Sequence, residues 1–280
     1  MKTIPLRGQA GLRLVADIGG DPQRPPVILL HGGGQTRHSW RQAALQLVDS
    51  GYHVINQDLR GHGESARAVD GDYSLDGFVA DLKAVCATLS QPPVLIGASL
   101  GGAAALLSAG EPPALNIRAL ILVDVVPRMA QEGVEHIRDF MTRTLEGFST
   151  LEEAAQAIAS YTPGRTRAPT TEGLLRNLSR KENGRYHWHW DPAFLQDESR
   201  AASESFALRL EAAAATIEAP VLLVRGAQSN VVTEDGARSL LKLISHAERL
   251  DVGGAGHMVA GDRNDIFNHA ILAFLGRALA

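Results

Sequence analysis

A serine flanked by glycines follows a short apolar run in the middle of the chain. The run that begins at Val94 leads into Gly97-Ala98-Ser99-Leu100-Gly101-Gly102. In a Gly-x-Ser-x-Gly pattern at a strand-to-helix turn, the serine hydroxyl is exposed as a nucleophile, and its neighbours are small because strand and helix pack tightly there. The helix that follows would point free amides at a bound group. Ser99 is therefore the candidate nucleophile; the alternative is an ordinary serine at the start of a helix.

A serine hydroxyl is weakly nucleophilic at neutral pH and needs a base within hydrogen-bond reach. The chain has ten histidines, and His257 stands directly after the glycine-rich stretch Gly253-Gly254-Ala255-Gly256. Its loop lies between the last predicted strand, 247–252, and a predicted closing helix, 262–279. We take His257 as the candidate base; the alternative is a surface histidine in a loop.

Short apolar runs and amphipathic segments alternate along the chain, and they must position these residues. Continuous apolar runs favour strands that are covered on both faces, and a 3.6-residue apolar period favours helices packed on them. The sequence predicts strands at 27–30, 52–56, 117–123, 220–225 and 247–252, helices at 38–50, 74–89, 233–244 and 262–279, and a hairpin within 3–19. Strands that alternate with helices predict an α/β protein with a mostly parallel central sheet flanked by helices.

The alternation stops between residues 128 and 215, where the sequence has helical patterns and no convincing strand. We interpret this stretch as a helical cap, or lid, inserted into one domain. The predicted division is a core of residues 1–127 and 216–280 and a cap of residues 128–215. A chain of 280 residues is long enough for one large domain with such an insertion.

Four motifs follow one another along the chain: His31-Gly32-Gly33-Gly34, the loop 58–65, the serine turn around Ser99, and Gly256-His257. In this order they resemble the α/β-hydrolase fold superfamily, and with the strand pattern they cover nearly all of the chain outside the cap. The resemblance implies an α/β-hydrolase fold with a Ser–Asp–His triad. It also implies a structural role for the loop 58–65, so we assign no chemistry to Asp58, Arg60 or His62.

The acidic member of the triad departs from the pattern common in this superfamily. Many relatives carry it in a Gly-x-x-Asp sequence after the strand that follows the cap, but this chain has Gly226-Ala227-Gln228-Ser229-Asn230. Some members take the acid from the end of the strand after the serine helix, and Asp124 stands there. The order Ser99, Asp124, His257 is then nucleophile, acid, base. The alternatives are a capping role for Asp124 and an acid supplied by Glu234, Asp235 or Asp251.

Two backbone amides are expected to form the oxyanion hole that stabilises the developing negative charge. The serine turn supplies the N–H of Leu100. The glycine loop supplies a second one, which we assign to Gly33, with Gly34 as the alternative. Glycines there let the backbone approach a substrate closely.

The substrate pocket is least determined by the sequence. Aromatic residues make up 5% of the chain, yet Tyr186-His187-Trp188-His189-Trp190 concentrates them within the cap. Trp188, Trp190 and His187, together with Gly34, are the predicted pocket residues, and packing of the cap on the core is the alternative role of the aromatic ones. Phe140, Met141 and Phe148 are further candidates for the same wall.

Composition excludes several classes of partner. The formal net charge is −4, so we expect no binding to nucleic acid or to an anionic membrane, and no apolar run is long enough for a membrane span. One cysteine, Cys86, allows no disulfide within the chain, and the N-terminus does not resemble a signal peptide. We expect a cytoplasmic monomer or homodimer that acts on a small molecule. No metal site is indicated and no cofactor is expected.

These features predict a serine hydrolase that cleaves a carboxylic ester or lactone, with amides as a further option, of a small or medium acyl substrate through an acyl-enzyme. The same three residues would also suit a hydrolase of carbon–carbon bonds or a perhydrolase of the haloperoxidase type. Two hypotheses of other classes are a ligand-binding protein that has lost turnover and a cofactor-free oxygenase. The sequence does not identify the substrate or the pathway.

Overall fold

The computed structural model of the protein describes residues 1–161, 171–196, 203–257 and 264–279. The predicted cap and the predicted closing helix each include some residues outside these ranges. Strands of the main sheet are β1 (Lys2–Arg7), β2 (Arg13–Gly19), β3 (Pro26–Leu30), β4 (His53–Asp58), β5 (Val94–Ala98), β6 (Ala119–Val123), β9 (Val221–Gly226) and β10 (Glu248–Val252). Helices packed around it are α1 (Arg41–Asp49), α2 (Leu75–Cys86), α3 (Leu100–Gly110), α7 (Glu204–Ala214), α8 (Glu234–Leu243) and α9 (Asn264–Ala278).

The main sheet has eight strands in the order β1-β2-β4-β3-β5-β6-β9-β10. The first three strands in this order pair antiparallel, and all the other pairs are parallel. The predicted hairpin and the predicted mostly parallel sheet are therefore confirmed. The carboxyl ends of β5, β6 and β9 lie side by side, because Ala98 pairs with Val123 and Val123 pairs with Val224.

Alternate residues of the central strands feed two hydrophobic cores, one on each face of the sheet. In β3, Val27 and Leu29 join the core that contains Trp40 and Phe274, whereas Ile28 and Leu30 join the core on the other face. This explains why the predicted strand is apolar without alternation, since both of its faces are covered by helices. The two cores hold the strand ends, and hence the site, on a rigid layer.

The cap contains α4 (Gln131–Arg143), α5 (Leu151–Tyr161), α6 (Thr171–Leu175) and a small hairpin of β7 (Leu178–Arg180) and β8 (Tyr186–Trp188). The expectation of a cap without strands is therefore wrong. Each of the two strands has three residues, which is too short for a periodic pattern to distinguish them from a loop.

Helix α7 lies within the range 128–215 that the sequence assigned to the cap, yet it packs on α3 of the core. A Cβ at Gly110 in α3 would lie 2.0 Å from the carbonyl oxygen of Ala213 in α7, so the two backbones are in direct contact. The position of the boundary stays a prediction, and this packing favours a cap that ends before Glu204.

Hydrogen bonds between described residues join the cap to the core, and two of these contacts lie near the candidate site and its supporting loops. Tyr73 Oη donates to Asp191 Oδ2 at 2.7 Å, and the N–H of Asp191 donates to the carbonyl of Gly61 at 2.8 Å. At the start of α4, the N–H of Ala130 donates to the carbonyl of Val231 at 2.8 Å. The second contact places the cap against the turn after β9, close to the candidate acid.

Candidate active site

Ser99 lies between β5 and α3 in a strained backbone conformation. Its φ is +46° and its ψ is −113°, a region that costs a residue with a side chain about 1–3 kcal/mol. It occupies the N-cap position of α3, but its side chain makes no capping hydrogen bond. The N-cap hydroxyls of Ser74 and Thr233, by contrast, accept a hydrogen bond from their own helices. Ser99 is therefore not an ordinary helix cap, and its hydroxyl is left for another partner.

The glycines around Ser99 are required by the packing of the turn. A Cβ at Gly97 would lie 2.5 Å from the backbone of Gly101, and a Cβ at Gly101 would lie 2.6 Å from the carbonyl oxygen of His31. Both distances are far shorter than van der Waals contact. Strand β5, helix α3 and the loop after β3 can meet at Ser99 only because these positions have no side chain.

Asp124 follows β6 at the position that corresponds to Ser99 after β5. Its side chain is fully buried, and its φ of +49° is also in the left-handed region. Asp124 Oδ2 lies 2.6 Å from His257 Nδ1, and Asp124 Oδ1 accepts a hydrogen bond from the N–H of Gly226 at 3.0 Å. The predicted acid and base are thus in direct contact.

The loop that carries His257 is held by the turn after β9. The N–H of Gln228 donates to the carbonyl of Ala255 at 2.9 Å, and a Cβ at Gly226 would lie 2.1 Å from the carbonyl oxygen of Gly256. Gly226 therefore lets the backbone before His257 approach β9. This close approach is what brings the histidine to Asp124.

The alternative acids lie in arginine ion pairs. Arg249 Nη2 is 2.6 Å from Asp251 Oδ2, and it also pairs with Glu234. Hydrogen bonding from Arg249 lowers the pKa of Glu234 to about 2. Arg238 pairs with Glu234 at 3.1 Å and lies 3.7 Å from Asp235. Of the candidate carboxylates, Asp124 is the one that the structure places on His257.

The glycine loop after β3 presents one uncommitted amide. The N–H of Gly32 donates to Gln35 Oε1 at 3.2 Å, and the N–H of Gly34 donates to His62 Nε2 at 3.1 Å. Within the described ranges, no residue accepts a hydrogen bond from the N–H of Gly33. This favours Gly33 over Gly34 as the donor to an oxyanion. Leu100 begins α3, so its N–H has no partner within that helix.

His31 supports the same loop from inside the core. Its Nδ1 lies 2.8 Å from the carbonyl oxygen of Gly32, and its Nε2 accepts a hydrogen bond from the N–H of Leu59 at 3.0 Å. Burial lowers the pKa of His31 to about 4, against the smaller opposing effect of the hydrogen bond to Gly32. His31 is thus a neutral ring that donates from Nδ1 and ties the glycine loop to the loop 58–65.

The loop 58–65 is built from buried ion pairs and supports the glycine loop. The buried guanidinium of Arg37 pairs with Asp58, and Asp58 Oδ2 also accepts the N–H of Glu64 at 3.0 Å. Arg60 Nε donates to Asp81 Oδ2 at 2.7 Å. These contacts agree with the structural role that the resemblance implied for this loop.

The predicted pocket residues separate into two groups. A Cβ at Gly34 would lie 3.8 Å from Trp190 Nε1, so Trp190 faces the glycine loop. Trp188 instead donates from Nε1 to Thr144 Oγ1 at 2.9 Å, inside the cap. His187 lies 3.2 Å from the side-chain amide of Asn183, also within the cap.

Two further apolar side chains cover the glycine loop. A Cβ at Gly33 would lie 3.0 Å from Phe194 Cζ, and a Cβ at Gly34 would lie 3.0 Å from Met141 Cε. Met141 was among the sequence candidates, and Phe194 was not. Phe194 lies in a 3₁₀ turn, Pro192–Gln196, directly after Trp190-Asp191. The turn signal of Pro192 marked the place, but nothing in the sequence shows which way the ring points.

Two functional possibilities outside the triad are not supported by contacts. One is that Arg128 binds a substrate carboxylate, but its guanidinium already pairs with Glu204 at 2.8 Å and with Glu211 at 2.6 Å. Within the described ranges, no group of three or more His, Cys, Asp or Glu side chains could hold a metal ion. No helix in this part of the chain has the length and hydropathy to cross a membrane.

Comparison with known proteins gives matches over most of the chain. A family model described as alpha/beta hydrolase fold matches residues 25–263. The chain is 30% identical over 276 residues to esterase Rv0045c of Mycobacterium tuberculosis, covering 92% of this chain and 84% of that protein. It is 26% identical over 271 residues to a non-heme chloroperoxidase of Burkholderia pyrrocinia, covering 91% of this chain and 93% of that protein. The crystal structure of an alpha/beta hydrolase from Novosphingobium aromaticivorans superposes with a TM-score of 0.82 at 28% sequence identity, covering 99% of this chain and 98% of that one.

Proposed function

Since the chain belongs to the α/β-hydrolase fold family, we propose that it is a serine hydrolase that cleaves a carboxylic ester or lactone through an acyl-enzyme on Ser99. The observation that carries the proposal is the 2.6 Å contact between Asp124 Oδ2 and His257 Nδ1, beside a strained serine that does not cap its helix. The likeness to a mycobacterial esterase supports the same reaction class.

The first step is attack by Ser99 on the substrate carbonyl. His257 donates from Nδ1 to Asp124, which leaves the lone pair of Nε2 to accept the proton of the serine hydroxyl. Asp124 holds the ring in this tautomer and stabilises the imidazolium that forms. The N–H groups of Gly33 and Leu100 donate to the oxyanion, where a single donor is worth about 10²–10³ in kcat.

The remaining steps use the same side chains and backbone amides together with water. The imidazolium returns its proton to the leaving alkoxide, the ester C–O bond breaks, and the acyl group stays on Ser99. His257 then takes a proton from water, hydroxide adds to the acyl carbon, and the carboxylic acid leaves as the proton returns to Ser99.

The apolar side chains over the glycine loop indicate a neutral acyl group of limited length. Met141, Trp190 and Phe194 lie against Gly33 and Gly34, where the acyl group of a bound ester would enter. Truncation of Met141 to alanine would remove the methyl that lies closest to Gly34. We expect Met141→Ala to raise kcat/KM for a hexanoate relative to an acetate ester by about threefold to tenfold, because each added methylene buried gains about 0.8 kcal/mol.

The proposal is tested by labelling with a fluorophosphonate and by turnover of p-nitrophenyl esters. We expect the wild-type protein to gain one label and to hydrolyse the ester, and Ser99→Ala to do neither. Asp124→Asn should lower kcat by about 10³–10⁴, by analogy with the loss of the acid in other serine triads. Asp251→Asn is the matched control, because this carboxylate pairs with Arg249 and should leave kcat within about twofold. A wild-type protein that neither labels nor turns over any ester contradicts the proposal.

A second candidate activity is perhydrolysis, which the likeness to a non-heme chloroperoxidase favours. The acyl-enzyme is the same, but hydrogen peroxide replaces water and the product is a peracid. The assay is peracid formation from an acetate ester with added hydrogen peroxide, measured against ester hydrolysis in the same solution. Peracid that forms no faster than in the Ser99→Ala protein excludes this activity.

A further inference from the structure

The turn after β9 brings a serine hydroxyl onto the candidate acid. Ser229 Oγ lies 2.6 Å from Asp124 Oδ2, the same oxygen that lies 2.6 Å from His257 Nδ1. Ser229 stands three residues after Gly226, and the N–H of Gly226 donates to the other carboxylate oxygen. Three donors from two separate loops therefore converge on one fully buried carboxylate.

The hydroxyl proton of Ser229 has one direction open to it. Ser229 Oγ accepts hydrogen bonds from the N–H of Val231 at 3.1 Å and from the N–H of Val232 at 3.0 Å. A hydroxyl has one proton to donate and two lone pairs to accept with. Since both lone pairs are taken by backbone amides, the proton must point at Asp124.

Because both of its lone pairs are taken, the hydroxyl of Ser229 can only donate to Asp124. Ser229 Oγ and His257 Nδ1 lie 2.6 Å from Oδ2, and the N–H of Gly226 donates to Oδ1 at 3.0 Å. Hydrogen bonds to a carboxylate are shorter and stronger than those between neutral groups. The same bond also fixes the rotation of the carboxylate, because Oδ2 has to meet Ser229 and His257 together.

We propose that Ser229 is a positioning residue for the catalytic acid: it holds the carboxylate of Asp124 turned so that Oδ2 faces His257. This inference rests on the proposed serine hydrolase function. It gives a role to an uncharged residue in the turn after β9.

The competing explanation is that Ser229 only closes the turn through Val231 and Val232. Both explanations predict some loss of stability in Ser229→Ala, so stability does not separate them. They differ in whether the effect on catalysis depends on the charge at position 124. A double-mutant cycle measures this dependence directly.

The experiment is ester hydrolysis by the wild-type protein, Ser229→Ala, Asp124→Asn and the double variant, with thermal unfolding of each. We expect Ser229→Ala to lower kcat about tenfold, because the variant loses a hydrogen bond to the charged carboxylate. KM should change less than about twofold, because Ser229 does not orient the substrate. In the Asp124→Asn background the same substitution should change kcat less than about twofold.

Thr233→Ala is the matched control. Its hydroxyl accepts a hydrogen bond from the N–H of Gly236 at 3.0 Å in the same segment of the chain. Among the described residues, its side chain makes no hydrogen bond to Ser99, Asp124 or His257. We expect this variant to lose stability while it keeps the wild-type kcat.

Three outcomes overturn the inference. One is an equal loss of kcat on Ser229→Ala in both backgrounds, which would indicate a turn-closing role alone. Another is an active Ser229→Ala with the wild-type kcat. The third is a Thr233→Ala variant with the same kinetic defect. Failure of the underlying function looks different, because the wild-type protein itself would then show no turnover that depends on Ser99.

Discussion

His31 makes the stability of the protein depend on pH in a way that one substitution can isolate. The ring is fully buried, donates to the carbonyl of Gly32 and accepts from the N–H of Leu59. Protonation would place a charge in the core and replace the acceptor at Nε2 with a donor. Burial accordingly lowers the pKa of His31 from 6.5 to about 4.

The size of the effect follows from this difference in pKa. The unfolded chain takes up a proton on His31 near pH 6.5, whereas the native protein resists it until about pH 4. The contribution of the neutral His31 ring to the free energy of unfolding is therefore fully present above pH 6.5, and it is lost as the pH falls toward 4. Each pKa unit corresponds to about 1.4 kcal/mol, so about 2 kcal/mol should be lost by pH 5 and about 3 kcal/mol once the pH falls below 4.

The assay is urea unfolding of the wild-type protein and His31→Gln at pH 7, 6 and 5. Glutamine keeps an amide near the position of Nε2 and does not titrate, so the other groups cancel in the difference between the two proteins. We expect the advantage of the wild-type protein over His31→Gln to shrink by about 2 kcal/mol between pH 7 and pH 5. His269→Gln, at an exposed position of α9, is the control and should follow the wild-type curve. Parallel curves for His31→Gln and the wild-type protein would refute the reasoning.

Three further substitutions test other parts of the structure. Gly97→Ala puts a Cβ 2.5 Å from backbone atoms of α3, and we expect a loss of about 3 kcal/mol or more in urea unfolding; a stable, active variant would contradict the packing of the turn. Tyr73→Phe removes the hydroxyl that donates to Asp191 of the cap, and we expect it to lower the free energy of unfolding by about 1–3 kcal/mol, because the buried N–H of Ala68 also loses its acceptor. A wild-type unfolding curve would show that this contact is unimportant. Ser229→Asp in the Asp124→Asn background should recover at least about tenfold in kcat, since the new carboxylate stands within one hydrogen bond of the old one; no recovery would mean that position 229 does not reach His257.

The order of strands and helices could be predicted from the sequence, because strands covered on both faces of a sheet are continuously apolar. Strands β3 and β6 are entirely buried and appear as continuous apolar runs, and helix α2 between them keeps one apolar face. Ser99 was readable for a related reason, since the contacts around it exclude any Cβ at Gly97 and Gly101. A residue that must be glycine leaves a sharper signal than one that must be apolar.

The features that the sequence did not predict depend on distant contacts. Strands β7 and β8 are too short for a period of their own. The sequence assigned the second oxyanion donor to Gly33 with Gly34 as the alternative. The contact that favours Gly33 is a distant one, because His62, 28 residues after Gly34, accepts the N–H of Gly34. Phe194 reaches Gly33 from a turn of the cap, and no local pattern encodes that direction.

The place of the acid is determined by the histidine loop more than by the strand that supplies the carboxylate. Ala98 of β5 pairs with Val123 of β6, so Ser99 and Asp124 leave the sheet side by side, both with a positive φ. The N–H of Asp124 donates to the carbonyl of Val224 at 2.8 Å, which sets its side chain beside the turn after β9. Two neighbouring strand ends can therefore deliver a side chain to the same point next to His257. The end of β6 supplies the carboxylate of Asp124, and the turn after β9 supplies the hydroxyl of Ser229 that holds this carboxylate. An uncharged residue in the turn after β9 is therefore compatible with a complete triad.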